Sequence, residues 1–498
     1  MPRKRLEYLE SLKKNLSIEG MGAGEKSFSK ATEARICMSV GEAFMKGCFR
    51  FGFGGIMAFT GTHYIRLLKE DLEFTVKKCL MDSRVGEIYV VNSISVITRH
   101  VVLILTTKPY TPQKHLVSFE NLVLNLDTLE TYEHSEIFET NIHMSYNYDP
   151  KATCFRFDNF LIEVLPSADS TRVLQEFCGA FFVDRRKYKI ENMCFLIGSG
   201  RNGKGVFSAA IKHAIGKDNY VSFEVADLLK DQRNVAEADG KLANICDDMS
   251  KGDISGGKYK NIVSGDDTPA RRNYENPFTA SNLPLIMASV NEMPVTTDHT
   301  LGHHRRNLPI YFKVTISQAR MDTELQYKME AEVSGIFNWI LAGRQRFIAN
   351  NGRFSECWEM EEAKNKLKVE SNSVFQYLTF KNYFPTAGGP FERGFINTSA
   401  FYEDYRRWCR DEGKNFMFER TNFSKLIKAE GYQAAHRNDG NGYYYFAPIV
   451  GIPEEEAVKR RIEEERMGLK PVIPAKEEVE EEEDDFWNVN KGGKELPF

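Results

Sequence analysis

The alternation of apolar and polar positions divides the chain into stretches of different period. Residues 1 to about 110 open on a charged, helix-like MPRKRLEYLESLKKNL and continue through FRFGFGGIMAFTGTHYIRL. They then reach EIYVVNSISVITRHVVLILTTK, whose alternation predicts paired strands. Residues 115–190 begin strand-like at VSFENLVLNLD, pass the turn-prone YNYDPKA and become helical over FDNFLIEVLPSADSTRVLQEFCGAFF, the expectation for a helical collar or connector. From Asn192 to about Ile348, short apolar runs alternate with helical ones, the signature of a sheet with crossover connections. A helical stretch follows, and the Pro and Gly residues of KNYFPTAGGPFERG mark a linker. TSAFYEDYRRWCRDEG and TNFSKLIKAEG predict helices stopped by Gly413 and Gly431, and YQAAHRNDGNGYYYFAPI predicts two strands about a turn. Helix, helix, hairpin is the order of a winged helix. The expected division is 1–114 (α+β, role unassigned), 115–190 (collar), 191–350 (sheet with crossovers), 351–394 (helical linker), 395–450 (winged helix) and 451–498 (disordered tail).

Composition narrows the class. The 498 residues are 42% hydrophobic and 12% aromatic, enough for roughly three domains with substantial cores. The most apolar stretch is broken by Arg99 and His100, short of the about 18 uninterrupted apolar residues of a membrane span, so no membrane association is expected. Nine cysteines stand singly without a C-x-x-C pair, which argues against zinc and disulfides, and the basic start lacks the apolar core of a secretory signal. The expected location is the reducing cytoplasm. The net charge of −4 hides a segregation: fifteen acids against eight bases between Glu454 and Phe498 make the tail −7 and the body +3. A mildly basic body with an acidic tail suits a protein that handles polyanions.

The chemistry is concentrated in the third region. NMCFLIGSGRNGKGVFSAAIKHAIG sets an apolar strand before Gly198 and a helix after Gly203, with G-x-x-x-x-G-K between them. In such a loop, Gly198, Ser199, Gly200, Arg201, Asn202, Gly203, Lys204 and Gly205 form a phosphate cradle. Glycines let successive backbone N–H groups point at phosphate oxygens, the helix start adds positive potential, and Lys204 reaches the β and γ phosphates of ATP. KLANICDDMS is a strand ending in Asp247 and Asp248, one to lie near Mg²⁺ and one to activate water. LPLIMASVN ends in Asn291, a group able to orient that water, and HTLGHHRRNLPIYF presents Arg305 and Arg306 before another strand as candidate arginine fingers. His299, His303 and His304 lack a second cluster of zinc-type spacing and are expected in a loop near nucleotide or DNA.

These residues resemble the superfamily 3 helicases, in particular the phage and plasmid primase-helicases related to the poxvirus primase-helicase. GSGRNGKG resembles the family's Walker A, Asp247-Asp248 its Walker B, and the Asn291 strand its motif C. KNIVSGDDTPARRNYENPFTA resembles the segment between the last two, and the C-terminal winged helix is also similar. The resemblance covers about residues 115–448, with the first hundred or so and the tail outside it. It implies an α/β chain with a P-loop, AAA+-like ATPase domain, an upstream α+β and helical region and a C-terminal winged helix. It further implies a homo-hexamer that uses ATP and Mg²⁺ to move 3′ to 5′ on single-stranded DNA and open forks during replication of a phage, plasmid or integrated element in a bacterial host cell. Arg305 would act on the neighbouring subunit's ATP, with Arg306 in support. The family's pore hairpin carries over to Lys260, Arg271, Arg272 and Tyr274, where cations for phosphate and an aromatic for stacking suit sequence-independent strand binding.

Two features depart from the pattern. Gly205 stands where a Ser or Thr hydroxyl normally ligates Mg²⁺, which keeps a second reading open: an ATP-assembled replication initiator or adaptor with little unwinding. The first 110 residues show no carboxylate cluster for primer synthesis, so any primase is expected to be a separate protein. A metabolic P-loop kinase fits the basic inter-motif segment and winged helix poorly. The tail, EEVEEEEDD then Phe486-Trp487 and a terminal KELPF, resembles the C-terminal tip of single-stranded DNA-binding proteins. That implies Pro497 and Phe498 as contacts for replication proteins that bind such tips; alternatively, the tail solubilises the chain or occupies a basic DNA channel.

Overall fold

The computed structural model describes residues 30–81, 91–250, 256–273, 276–294, 305–386, 391–414, 417–437 and 440–448. They fall into two compact units, Met1–Ser371 and Asn372–Phe498.

In the first unit, helix α1 (Lys30–Lys46) precedes strands β1 (Phe49–Gly52), β2 (Gly55–Phe59) and β3 (Tyr64–Arg66), and helices α2 (Lys69–Met81) and α3 (Val91–Leu105) follow. The strands form an antiparallel sheet in the order β1-β2-β3. Its first turn, Phe53-Gly54, has φ of 49° and 68°, the two left-handed residues that a tight hairpin with right-twisted strands requires. The paired strands expected near residues 87–108 are not what forms: the described part is the helix α3. Ser93, Ile97, Val101 and Leu105 are buried at helical spacing while Val96 and Leu103 are exposed. The β-branched residues favour strands only weakly, and the apolar face of α1, with Ile36, Val40 and Phe44, supplies a partner for one helical stripe.

Residues 115–190 begin with strands, as VSFENLVLNLD suggests, and these extend to a four-stranded sheet: β4 (Leu116–Phe119), β5 (Val123–Asn125), β6 (Thr131–Tyr132) and β7 (His143–Met144), in the order β6-β5-β4-β7. Helices α4 (Phe155–Val164), α5 (Ala168–Ala180) and α6 (Arg185–Tyr188) complete the region. The apolar cores before and after residue 114 are separate, and polar contacts join them. Tyr64 donates its backbone N–H to the Thr140 carbonyl at 2.8 Å, and Arg50 pairs with Glu139 at 2.8 Å.

The sheet with crossovers comprises β8 (Met193–Ile197), α7 (Lys204–Ile215), β9 (Tyr220–Val221), α8 (Val225–Lys230), α9 (Gln232–Ala238), β10 (Ala243–Cys246) and α10 (Gly256–Ser264), then the hairpin β11 (Thr268–Ala270) and β12 (Phe278–Ala280), β13 (Leu285–Val290) and β14 (Asn307–Tyr311). Its five main strands are all parallel, in the order β14-β8-β13-β10-β9. Strands β8, β10 and β13 are buried throughout, as parallel strands covered on both faces must be. Helices α11 (Leu325–Glu330), α12 (Val333–Ala349) and α13 (Trp358–Ser371) follow. Packing ignores the expected boundary at residue 190: Val117, Phe157 and Phe177 share one core with Leu196, Ile245, Ile310 and Phe337. Helix α12 crosses α5 where both are bare of side chains. A Cβ on Gly179 would overlap the Arg344 backbone nitrogen, and one on Gly343 the Gln175 carbonyl.

The second unit comprises α14 (Ser373–Phe380), β15 (Phe391–Asn397), α15 (Thr398–Asp411), α16 (Arg420–Ala429), β16 (Ala434–Arg437) and β17 (Gly440–Pro448). The helix, helix, hairpin order is present, with Gly413 and Gly431 left-handed at φ 59° and 87° after the two helices. The expected linker is shorter than the Pro and Gly content suggests, because FERG opens β15, which pairs antiparallel with β17. Gly394 marks a close approach rather than a loop: a Cβ there would run into the Tyr445 ring. Among the described residues, no helix is long and apolar enough to cross a membrane.

Candidate functional site

Strand β8 leaves the sheet at Gly198, where any side chain is excluded: a Cβ would overlap the Asn202 amide and stand 2.7 Å from the Phe312 carbonyl oxygen. The chain then turns through left-handed residues, Gly200 at φ 104°, Arg201 at 49° and Gly203 at 89°. That sequence of conformations turns backbone N–H groups toward one concavity. Gly203 is the N-cap of α7 and offers no side-chain acceptor to the first turn, so those N–H groups face outward for a ligand. The loop is tied down from behind: Ile316 donates its N–H to the Arg201 carbonyl at 2.7 Å, and Asn202, almost wholly buried, donates to the Phe312 carbonyl at 3.4 Å.

Lys204 donates from Nζ to the Gly198 carbonyl at 2.5 Å and to Asn202 Oδ1 at 3.3 Å. Burial holds its ammonium below the ordinary lysine range, and the Asp248 carboxylate acts in the opposite sense. Among the described residues the amine's hydrogen-bond acceptors are neutral oxygens, a position an anion would improve. Gly205 has open space where a Cβ would be. No packing constraint explains the missing hydroxyl.

The neighbouring strand ends complete the edge. Val290 of β13 is in register with Ile197 of β8, so Asn291 lies beside Gly198. Cys246 of β10 is in register with Ala288, which brings Asp247 and Asp248 to the same edge one strand further on. Strands about 4.8 Å apart place all three features within one nucleotide's reach. All three side chains are exposed at the open strand ends. Asp247 Oδ2 lies 2.5 Å from Lys212 Nζ, while Asp248 is the carboxylate whose charge reaches Lys204. Lys212 escaped the sequence reading. Its signal was the spacing Lys204, Ser208, Lys212, which repeats every four residues along one face of α7.

The arginines lie elsewhere. Because Asn307 of β14 is in register with Met193, Arg305 and Arg306 sit at the opposite end of the strands, about five residues or ~16 Å from the loop. Arg305 is exposed and pairs with Glu191 at 2.5 Å; Arg306 is largely covered, 3.4 Å from Glu191 and 3.3 Å from the Ser264 hydroxyl. Lys260 lies on α10 rather than on the hairpin. Arg271 and Arg272 follow β11 at the hairpin tip, but only Arg271 has its side chain out in solvent. Arg272 donates to the carbonyls of Phe53 at 3.0 Å and Ala236 at 2.8 Å and lies over the Phe278 ring at 4.6 Å. Tyr274, His299, His303, His304, Pro497 and Phe498 lie outside the described residues.

Two family models match parts of the chain. Residues 196–306 match a family of unknown function (DUF5906), a span that begins at the phosphate-loop strand and ends at Arg306. Residues 57–166 match the "D5 N terminal like" family, so this likeness begins well upstream of residue 115, the start expected from the sequence. Among solved structures, the chain is similar to the A form apo structure of the NrS-1 C terminal region, at 12% identity and a TM-score of 0.37, over 66% of this chain and 95% of that one. A 305–718 form in the same A form gives 13%, 0.37, 60% and 78%, and a further apo structure gives 12%, 0.36, 61% and 79%. By its matched part, residues 57–166, the chain carries a D5 N-terminal-like region ahead of its parallel sheet.

Proposed function

We propose that this chain is a hexameric, ATP-dependent DNA helicase of the superfamily 3 type, moving 3′ to 5′ on single-stranded DNA during replication of a phage, plasmid or integrated element. One observation carries the reading. The strand order sets β13 between β8 and β10, so the phosphate loop, Asn291 and the Asp247-Asp248 pair converge on one sheet edge from segments nearly a hundred residues apart. In this reading the left-handed loop and the start of α7 bind the triphosphate, and Lys204 exchanges its carbonyl partners for phosphate oxygens. Asn291 and one carboxylate hold the attacking water. The open edge, with two exposed carboxylates beside the loop, fits a hydrated Mg²⁺, which when bound neutralises phosphate charge. Asp247 must then give up Lys212, whereas Asp248 is near enough for its charge to act on Lys204.

The distance of Arg305 from its own loop supports action on a neighbouring copy, so hydrolysis depends on assembly. Arg305, exposed and, among the described residues, paired through its side chain with Glu191, suits that role, and Arg306 supports it. Arg271 and Lys260 are the proposed strand contacts, and Arg272 holds the hairpin in place. The second unit is read as a winged helix. A DNA-stimulated ATPase assay, paired with displacement of a strand from a 3′-tailed fork, tests the proposal. Lys204→Ala and Arg305→Ala each abolish both activities, and mixing the two variants restores part of the hydrolysis because one copy supplies the loop and its neighbour the arginine. Hydrolysis unaffected by Lys204→Ala ends the reading. Gly205 favours the alternative, an ATP-assembled initiator or adaptor: fork binding promoted equally by ATP and a non-hydrolysable analogue, with no displacement, would establish it.

A further inference from the structure

The β15-β17-β16 sheet is covered by helices on one face. Tyr443 is buried there against Phe401 at 6.3 Å, and the Tyr445 ring lies 4.1 Å from that of Tyr383, tilted by 34°. Strand alternation sends Arg393, Phe395, Tyr444 and Arg437 to the other face. Phe395 and Tyr444 are paired across the strands, their rings 5.5 Å apart and inclined at 63°. Arg393 lies 3.8 Å over the Tyr444 ring; Arg437 lies 4.8 Å from the Phe395 ring and 5.2 Å from that of Tyr444. Small residues make room for this arrangement. Gly442 lies so close beneath Phe395 that a Cβ would stand 2.5 Å from the ring, and Ala435 is its partner on β16.

The guanidinium partners decide what this face can take. Arg393 donates to the Gln433 side-chain oxygen at 3.2 Å, and among the described residues no carboxylate bonds to either Arg393 or Arg437. A guanidinium held over a ring is restricted in conformation and keeps N–H donors for an anion. Two such cations interleaved with two aromatic rings on a flat surface match an unpaired polynucleotide, which offers a phosphate at every step and a base face to stack between them. A duplex keeps its bases stacked and offers such a surface only phosphates.

We propose that this open sheet face, through Arg393, Arg437, Phe395 and Tyr444, is a binding platform for single-stranded nucleic acid, additional to the hairpin contacts. It goes beyond the ATPase reading and needs no nucleotide. The test measures binding of a fluorescent 20-residue oligo-dT by the full chain without ATP, by anisotropy across a salt series. Arg271→Ala serves as background, so that the hairpin does not mask the result. Adding Arg393→Gln and Arg437→Gln flattens the salt dependence by about 1.4 logarithmic units, roughly 0.7 per phosphate contact on a single strand. It also weakens binding about tenfold, and the corresponding pair of Lys substitutions keeps the slope. Tyr444→Leu weakens binding about tenfold with the slope little changed, because both charges remain while the stacking ring and the support it gives Arg393 are lost. An unchanged affinity and slope in the folded double-Gln protein overturns the proposal. So does loss of binding to a peptide of residues 477–487 while oligo-dT binding is kept, which would assign the face to the acidic tail. Because no nucleotide is present, failure here leaves the ATPase reading standing, and failure of ATP hydrolysis leaves the platform standing.

Discussion

Gly205→Ser isolates what the missing hydroxyl costs. Gly205 is the second residue of α7, its φ is not left-handed, and a Cβ there meets nothing within 4 Å. Substitution therefore adds no clash and removes a glycine from a helix. Glycine is about 1 kcal/mol worse than alanine in a helix and serine lies between them, so the folded unit gains about 0.5 kcal/mol, or ~1–2 °C in melting temperature. Gly205→Ala gains somewhat more stability and supplies no oxygen. The comparison thus separates the backbone effect from the ligand. The added serine oxygen stands where a P-loop normally holds Mg²⁺, and supporting ligands of metal sites typically change affinity 10- to 100-fold. The expected result is a Mg²⁺ concentration for half-maximal ATP hydrolysis about tenfold lower in Gly205→Ser than in the parent, with Gly205→Ala matching the parent. The assay is a MgCl₂ titration at saturating ATP and oligonucleotide, with thermal melting of each variant. If serine and alanine give the same Mg²⁺ dependence, the metal does not sit against α7. If both lower the melting temperature, the loop is not open in the way the geometry requires.

Three further outcomes follow from the packing. Arg272→Ala strands the Phe53 and Ala236 carbonyls and is expected to cost about 2–3 kcal/mol of stability, seen as earlier urea unfolding, whereas Arg271→Ala changes stability by less than about 0.5 kcal/mol and weakens oligonucleotide binding. Gly179→Ala or Gly343→Ala forces α5 and α12 apart against backbone atoms that cannot yield, a loss of about 3 kcal/mol that melting measures directly. His63, stacked on His143 at 4.2 Å, is held down to about 3 by burial first and then by the neighbouring histidines His143 and His134. The unfolded chain binds that proton at its ordinary pKa near 6.5, so stability is full above pH 6.5 and falls toward pH 3. At about 1.4 kcal/mol per unit the loss reaches about 3 kcal/mol by pH 4.5, and His63→Gln flattens that slope in pH-dependent melts.

Local order along the chain was legible where a residue's role depends on its neighbours in sequence. The glycines and lysine of GSGRNGKG declare a strand-turn-helix, and Gly413 and Gly431 declare two helix ends, because left-handed backbone favours glycine wherever it occurs. Gly394 shows the limit: the same residue type read as a linker, yet it serves a sheet by admitting the Tyr445 ring. The stretch before Leu105 was misread for a related reason. Val and Ile suit a strand or a buried helix equally, and the choice fell to the apolar face of α1, some fifty residues upstream.

Residue chemistry alone made Lys204, Asp247, Asp248 and Asn291 candidates, since phosphate and water activation ask for those groups at strand ends. Their convergence required the order β14-β8-β13-β10-β9, which depends on long-range strand pairing that periodicity does not encode. The same pairing set Arg305 at the far end of the sheet from its own loop. It also separated two adjacent arginines, leaving Arg271 to solvent and drawing Arg272 onto the carbonyls of Phe53 and Ala236. A side chain's type limits what it can bind, and that is written in the sequence; which partners lie within 3 Å of it depends on burial and register, which exist only once the chain has folded.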